Sequence, residues 1–414
     1  MEADETGASV ALVRLIASGG DALSPGRLHR FPGPPPVLGS AVERPITVDQ
    51  THRSVVVGES VVVKWLQPPL PAPQRTPELL AHLAEVGFGR TPQPYAALYR
   101  RDISPTTTAH GVLSSSGAAA HGVLSSSGVA AHGVLSSSGT AAHGGASAEL
   151  VALIVAFLPG AVDGWEWAVD DLLAELGGGA LAVIGGLLGE LAAELHVALA
   201  TPSSVLPDPV GAAAPADVAG WTGQGLDALD EALQLTDGAD GEWLASVAPA
   251  IRADLALPST RGDLALPGWA GTPVQRLHGD LHVGQILRWE GGYAVVDFDG
   301  NPAAPQDSAE PPARDVAQLL VSLGNVGAIA NKRTGHAHAA RVAAWVDRER
   351  DALLGTYRPV AGGLFDEDLL AGFEAAQLCR ELIYAARFLP RWRYAPMEVL
   401  HHRYRTHSRF TEEL

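Results

Sequence analysis

The chain has 414 residues, too many for one ordinary domain and enough for two or three. Hydrophobic residues make up 47% and charged residues 18%, which supports a sizeable core and excludes a wholly disordered protein. With 28 basic against 46 acidic residues the formal net charge is −18 at pH 7, leaving no cationic surplus for nucleic-acid phosphates or anionic lipid. The single cysteine, Cys379, excludes an intramolecular disulfide framework and a four-thiolate metal site. The first five residues are acidic where a signal peptide is basic. The apolar run 177–195 carries Glu190 and Glu194 and reads as a buried helix, not a membrane span. A cytoplasmic monomer with no nucleic-acid or membrane partner is expected.

Up to about residue 100, short β-branched runs alternate with Pro and Gly. Residues 54–57 and 60–65 flank Gly58-Glu59 and are predicted to form a hairpin. Residues 76–86 have helical spacing, with Thr76 as N-cap and Pro77 at the first helical position. From 109 to 145, AHGVLSSSG recurs with an 11-residue period and places His110, His121, His132 and His143 in register. Ser, Gly and Ala dominate there, and no carboxylate or thiol accompanies the histidines. The repeat is therefore read as a flexible or hairpin-like insertion outside the chemistry. A strand over 150–157 is broken by Pro159-Gly160. Beyond it the pattern is mostly helical, with Pro-rich loops near 201–216 and 256–273 and one β-rich island at 274–299. The fold class is thus α+β. A small β-rich N-terminal lobe, residues 1–158, carries the insertion at about 109–145, and a larger, mainly helical C-terminal lobe spans 159–414.

Residues 277–285 read LHGDLHVGQ; a turn is predicted at Glu290-Gly291-Gly292, and the strand after it carries Asp297, with Asp299 beyond. Phosphoryl transfer needs such a set: an Asp to orient and accept the proton of the attacking hydroxyl, and oxygen ligands for the Mg²⁺ that bridges the nucleotide phosphates. Most isolated His-Gly-Asp triplets cap local backbone groups. The ordered succession of acid, amide, hairpin and two further acids distinguishes this one. Lys64, one of only two lysines, lies in the apolar strand VVVKW. An ammonium there needs phosphates, or a carboxylate from the following helix, to offset its burial.

The segments HGDLHVGQIL, VVDFDGNP and ARDVAQLL resemble those of the aminoglycoside-phosphotransferase-like kinases, which share the bilobal protein-kinase fold. Gln285 stands where other members have Asn, which is similar to the maltokinase-related branch and, within it, to the actinobacterial glucosamine kinases. The resemblance covers most of the chain but not the 11-residue repeats. It implies ATP as co-substrate and Mg²⁺ as cofactor, with Asp280 as catalytic base and Gln285 and Asp297 as magnesium ligands. Asp299, where the branch usually reads Glu, becomes a second metal or sugar contact. Lys64 is assigned to the α/β-phosphates with Glu78, rather than Glu85, as its partner, and the backbone of Ala156, Phe157 and Leu158 to adenine. No G-x-G-x-x-G motif exists, and the loop at 49–53 would cover phosphates only weakly.

For the acceptor, residues 370–389 are predicted to form a long helix ended by Pro390, with Gln377, Glu381 and Tyr384 on one face. An amide, a carboxylate and a phenol suit a small amino sugar, with Trp392 to stack on its ring and His282, within the motif, as a further substrate contact. Without the resemblance, a solvated helix face would be the simpler reading. With it, the expected reaction is ATP-dependent phosphorylation of glucosamine at its 6-hydroxyl. Maltose, phosphorylated at its anomeric hydroxyl, and an aminoglycoside stay open as acceptors, and a non-catalytic nucleotide-binding module is the alternative from another class. Asp315 is expected to N-cap a helix over 316–323, where the family's equivalent steadies the catalytic loop. Cys379 is read as a small buried hydrophobe, and His196, His401 and His402 as ordinary polar residues.

Overall fold

A computed structural model describes residues 7–20, 22–23, 26–46, 52–101, 148–256, 271–300 and 308–405. The repeats at 109–145 and residues 49–51 of the expected phosphate-side loop lie outside the described residues. The chain divides into two compact units: Met1–Ala84 with Pro92–Pro159, and Glu85–Thr91 with Gly160–Leu414.

The first unit contains helix α1 (Ala8–Ala17), helix α2 (Arg75–Glu85, its last residue in the second unit) and seven strands. These are β1 (Ala22–Leu23), β2 (Gly26–Arg30), β3 (Glu43–Pro45), β4 (Arg53–Val57), β5 (Val61–Pro71), β6 (Pro94–Arg101) and β7 (Ala148–Ala156). They form one antiparallel sheet in the order β1-β2-β6-β7-β5-β4-β3. The hairpin predicted at Gly58-Glu59 is present: both residues are left-handed, with φ 60 and 51, as a two-residue turn between twisted strands requires. Alternation along β5 sets the two faces of the sheet. Val61, Val63 and Trp65 are buried with Leu12, Val13 and Ile16 of α1 and Ile154 of β7, while Val62 and Lys64 are half-buried on the opposite face. The Trp65 indole donates to Ser9 Oγ at 3.0 Å, which fixes α1 against the sheet.

The second unit is helical: α3 (Gly164–Leu176), α4 (Gly185–Leu199), α5 (Pro215–Leu235), α6 (Gly238–Leu255), α7 (Ala313–Arg333), α8 (Ala339–Ala361), α9 (Leu370–Phe388) and α10 (Tyr394–Arg403). Two antiparallel ladders join it, β8 (Val210–Ala212) with β9 (Pro273–Gln275), and β10 (Ile286–Trp289) with β11 (Gly292–Val295). Helix α7 is buried along nearly its whole length. No helix among the described residues is long and apolar enough to cross a membrane.

Local expectations change in three places. Helix α2 starts at Arg75, so Thr76 lies inside it and is not its N-cap. The apolar run 177–195 is only partly helical, because α3 stops at Leu176, three consecutive glycines follow, and α4 starts at Gly185. Asp315 is not an N-cap: Pro312 occupies that position, and Asp315 is the third helical residue with its carboxylate turned away from the helix's own amides. The helix also runs past residue 323 to Arg333 because its buried stripe continues.

Ser9→Ala leaves the buried Trp65 N–H without an acceptor and is expected to cost about 1–3 kcal/mol in urea unfolding. Stability unchanged within a few tenths would mean that this bond does not hold α1 to the sheet.

Candidate active site

The loop 277–285 is held by one face of α7. Asp315, Gln318, Ser322 and Asn325 recur at intervals of three and four residues and so share that face. Asp315 accepts from the backbone N–H groups of His278 and Gly279, each at 2.9 Å. Gln318 accepts from Leu281 N–H at 2.9 Å and donates to Gly279 O. Ser322 Oγ accepts from Val283 N–H at 3.1 Å. The loop's amides thus find partners in a place where water does not reach, which leaves the loop one conformation.

Behind Asp315 stands a second layer that sequence reasoning missed. His196 on α4 and Asp315 are both fully buried, with Nε2 and Oδ2 3.2 Å apart, and His196 Nδ1 lies 2.6 Å from Tyr357 Oη on α8. Burial raises the Tyr357 phenol well above its ordinary value, so it keeps its proton, and the His196 ring bridges it to Asp315. Burial alone would raise the Asp315 carboxyl, but the bonds from His196 and the loop bring it below the usual carboxylate range. His196 is therefore a structural partner of the loop and not an incidental polar residue.

His278 ties the loop to the neighbouring ladder. Its Nδ1 accepts from Asp280 N–H at 3.3 Å, and its Nε2 donates to Val296 O at 2.9 Å. Val296 N–H in turn donates to Gln285 O at 2.9 Å, which sets Asp297 beside the loop segment that carries Gln285. Phe298 is buried against the His278 ring, with centroids 5.0 Å apart, so Asp297 and Asp299 on either side of it are exposed. Asp297 is left-handed, with φ 67, a strained position of the kind that clusters at working sites. Among the described residues no group of three or more His, Cys, Asp or Glu is arranged for a metal. The pair of an amide oxygen and a carboxylate nevertheless fits Mg²⁺, which takes few protein ligands and completes its shell with water and phosphate.

Asp280 itself is 41% exposed at its side chain. His282 Nδ1 accepts from Gly284 N–H at 3.1 Å, and Nε2 stands 3.8 Å from Asp280 Oδ2. Burial lowers the His282 pKa and outweighs the pull of Asp280, so at neutral pH the ring is neutral and its proton is on Nε2, facing the carboxylate. Trp165 stacks on the His282 ring at 5.5 Å and meets Trp392 edge-on at 5.9 Å. Trp165 was not singled out from the sequence; its position follows from Gly164. A Cβ there would lie 1.6 Å from Val283 O, so glycine alone lets α3 begin against the loop.

On α9, Glu381 accepts from Gln377 Nε2 at 3.2 Å and from Asn325 Nδ2 at 2.9 Å. Burial raises its carboxyl above the ordinary value, and the charge of Asp280 adds to the rise. Asn325 is 2% exposed, and its Oδ1 is buried with no donor. The Tyr384 ring packs on Phe388 at 5.3 Å and stays outside the hydrogen-bonded set. Cys379 is buried as expected, its thiol pushed up to about 12.

In the first unit, Lys64 sits mid-strand beside Ser54 and Leu153. Glu78 is half-buried in the first turn of α2. Burial raises the Tyr99 phenol on β6, and the Glu78 charge adds to it. In the segment expected to take adenine, Ala156 N–H donates to Gln93 O at 2.8 Å and Phe157 N–H to Ser60 O at 2.9 Å. Two of its three amides are thus committed within the unit.

Asp315→Asn removes the charge that holds the loop amides and is expected to cost about 3–5 kcal/mol. The folded carboxyl lies below its unfolded value, so this contribution is in place at neutral pH and is lost as pH falls through the folded pKa. Unfolding followed from pH 7 down to acid should show the variant lacking that acid limb; an unchanged profile would remove Asp315 from the loop's support.

No family model matches the chain. It is 39% identical over 393 residues to a glucosamine kinase of Streptacidiphilus jiangxiensis, covering 89% of this chain and 74% of that one. A glucosamine kinase of Mycolicibacterium smegmatis is 36% identical over 371 residues, covering 86% and 78%. A solved glucosamine kinase in complex with glucosamine, ADP and inorganic phosphate matches with a TM-score of 0.71 at 33% identity, covering 95% of this chain and 82% of that one. Crystal form A of a glucosamine kinase matches with a TM-score of 0.70 at 34% identity, covering 95% and 80%. The α+β arrangement of a β-rich and a helical unit is thus that of a kinase-like fold, and the chain belongs to the glucosamine kinase family.

Proposed function

We propose that the chain transfers the γ-phosphoryl group of ATP to the 6-hydroxyl of glucosamine, giving glucosamine 6-phosphate and ADP. The observation that carries this reading is the pairing of two acidic groups on one helix-braced frame: Asp280 projecting from the loop, and Glu381 half-buried beside Asn325 with an unmet acceptor at Asn325 Oδ1. An ammonium supplies the charge and the hydrogens that this second group lacks. The similar solved kinase holds glucosamine and ADP, which favours the same acceptor here.

In this reading Asp280 orients the acceptor hydroxyl and accepts its proton, with the neutral His282 ring beside the carboxylate, Nε2 3.8 Å from Oδ2. Gln285 and Asp297 would hold Mg²⁺, with Asp299 as a second contact; when bound, the ion neutralises charge on the transferring phosphates. Lys64 steadies the α/β-phosphates with Glu78 behind it, and the backbone of Ala156, Phe157 and Leu158 takes adenine. Gln377 orients Glu381, Trp392 and Trp165 form an aromatic wall for the sugar ring, and Tyr384 lines the outer part of the same helix face.

ADP release with ATP and Mg²⁺ is the direct test, across glucosamine, glucose, N-acetylglucosamine, maltose and one aminoglycoside. Turnover on maltose but not glucosamine would overturn the acceptor assignment. Asp280→Asn is expected to lower turnover by about 10²–10⁴-fold while ATP still binds, as read by calorimetry; a normal rate would end its assignment as base.

Glu381→Gln should raise KM for glucosamine far more than for glucose. Because its carboxyl is raised, KM for glucosamine in the unsubstituted enzyme should climb on acidification above the ordinary glutamate range, a rise that the variant lacks. Equal losses for both sugars would remove Glu381 from amine recognition.

A further inference from the structure

Away from the loop, helices α5, α6, α7 and α9 line a partly open cavity of about 10 Å³, with Trp221, Leu255, Arg314, Phe373 and Arg380 among its walls. Two guanidinium groups face it and no carboxylate lines it. Arg314 is 5% exposed, and its Nε lies 2.9 Å from Glu310. The Phe373 ring covers the guanidinium at 4.4 Å, and Nη2 is buried with no acceptor. Arg380 donates to Gln377 Oε1 at 2.8 Å. Burial, and then the charge of Arg314, bring the Arg380 pKa down to about 10. The other nearby carboxylates are engaged: Asp315 by His196 and the loop amides, Glu381 by Asn325 and Gln377. Glu310 pairs with Arg314, whereas Arg380 has no ion pair among the described residues and Arg314 Nη2 no acceptor, which is costly unless something anionic shares the space.

We propose that this cavity is a binding site for a monatomic anion of the chloride class, held by Arg314 Nη2 and the Arg380 guanidinium. Its volume is that of one water-sized sphere. Chloride is only slightly larger than water and is the anion that suits this volume best. A water would meet the Nη2 hydrogen but leave Arg380 without a counter-ion in contact.

The site reaches the acceptor side through one amide. Gln377 Oε1 accepts from Arg380, so its nitrogen must face Glu381, and an anion that fixes Arg380 fixes that orientation. This link rests on the proposed acceptor role of Glu381; the site itself does not.

The test starts from the full-length protein exchanged into sodium gluconate and titrated with sodium chloride at constant ionic strength. Thermal unfolding should shift upward by a few degrees and level off, as binding to the folded state requires. The shift should vanish in Arg314→Gln, which keeps a polar side chain without the charge. A shift that grows without saturating, or that persists in the variant, overturns the site. Should Arg314→Gln fail to fold, crystals of the unsubstituted protein soaked in sodium bromide decide the matter. An anomalous peak between Arg314 and Arg380 is expected, and an ordinary water there overturns the proposal. Across the same titration KM for glucosamine should fall several-fold with KM for ATP unchanged; saturable anion binding with a flat KM overturns the link to Glu381. Absence of glucosamine turnover at every chloride concentration would instead count against the proposed function, and the thermal response would still decide the site.

Discussion

A backbone amide shut away from water must find an acceptor, and the loop around Asp280 buries four of them. One face of α7 satisfies all four, through Asp315, Gln318 and Ser322. Leaving even one unmet would cost about 1–3 kcal/mol, so alternative loop conformations are excluded by the same stripe that stabilises this one. Everything else in the candidate site is referred to that anchoring. His278 extends it to Val296 and so to Asp297; Gly284 N–H extends it to His282 and so to the edge of Asp280; Trp165 packs on His282 from α3.

The electrostatic character of the site follows from what is dry and what is wet. Asp315 is sealed off but supplied with donors, and it stays ionised as a fixed negative point behind the loop. Glu381 is half-buried, has fewer donors and feels Asp280, so its ionisation is less secure and a cation is favoured beside it. Asp280, Asp297 and Asp299 reach solvent. Carboxylates of one chemical type thus hold distinct duties because burial and hydrogen-bond supply differ around each.

Local order in the sequence carried much of this. The Gly58-Glu59 hairpin, the strand of Lys64, the succession from His278 to Asp299 and the helix of Glu381 all follow from spacing over a few residues. What spacing could not give were partners brought from far along the chain: His196 lies 119 residues from Asp315 and 161 from Tyr357. Asp315 was legible as a helix-start residue but misread as a cap, because a capping residue and an inward-facing third residue look alike in one dimension. Residues Asp315, Gln318, Ser322 and Asn325 did leave a signal, a polar line along an otherwise apolar helix. The commitment of the Ala156 and Phe157 amides depends on strand register, which no local pattern reveals.

The same line on α7 also works as a ruler. It begins at the residue that fixes the loop of Asp280 and ends at Asn325, which holds Glu381, about 15 Å along the axis at 1.5 Å per residue. Asp280 and Glu381 are therefore gauged against one rigid rod. In the proposed reaction an acceptor is measured by the separation of its hydroxyl from its ammonium, and a molecule with the same groups at another spacing can satisfy one end only.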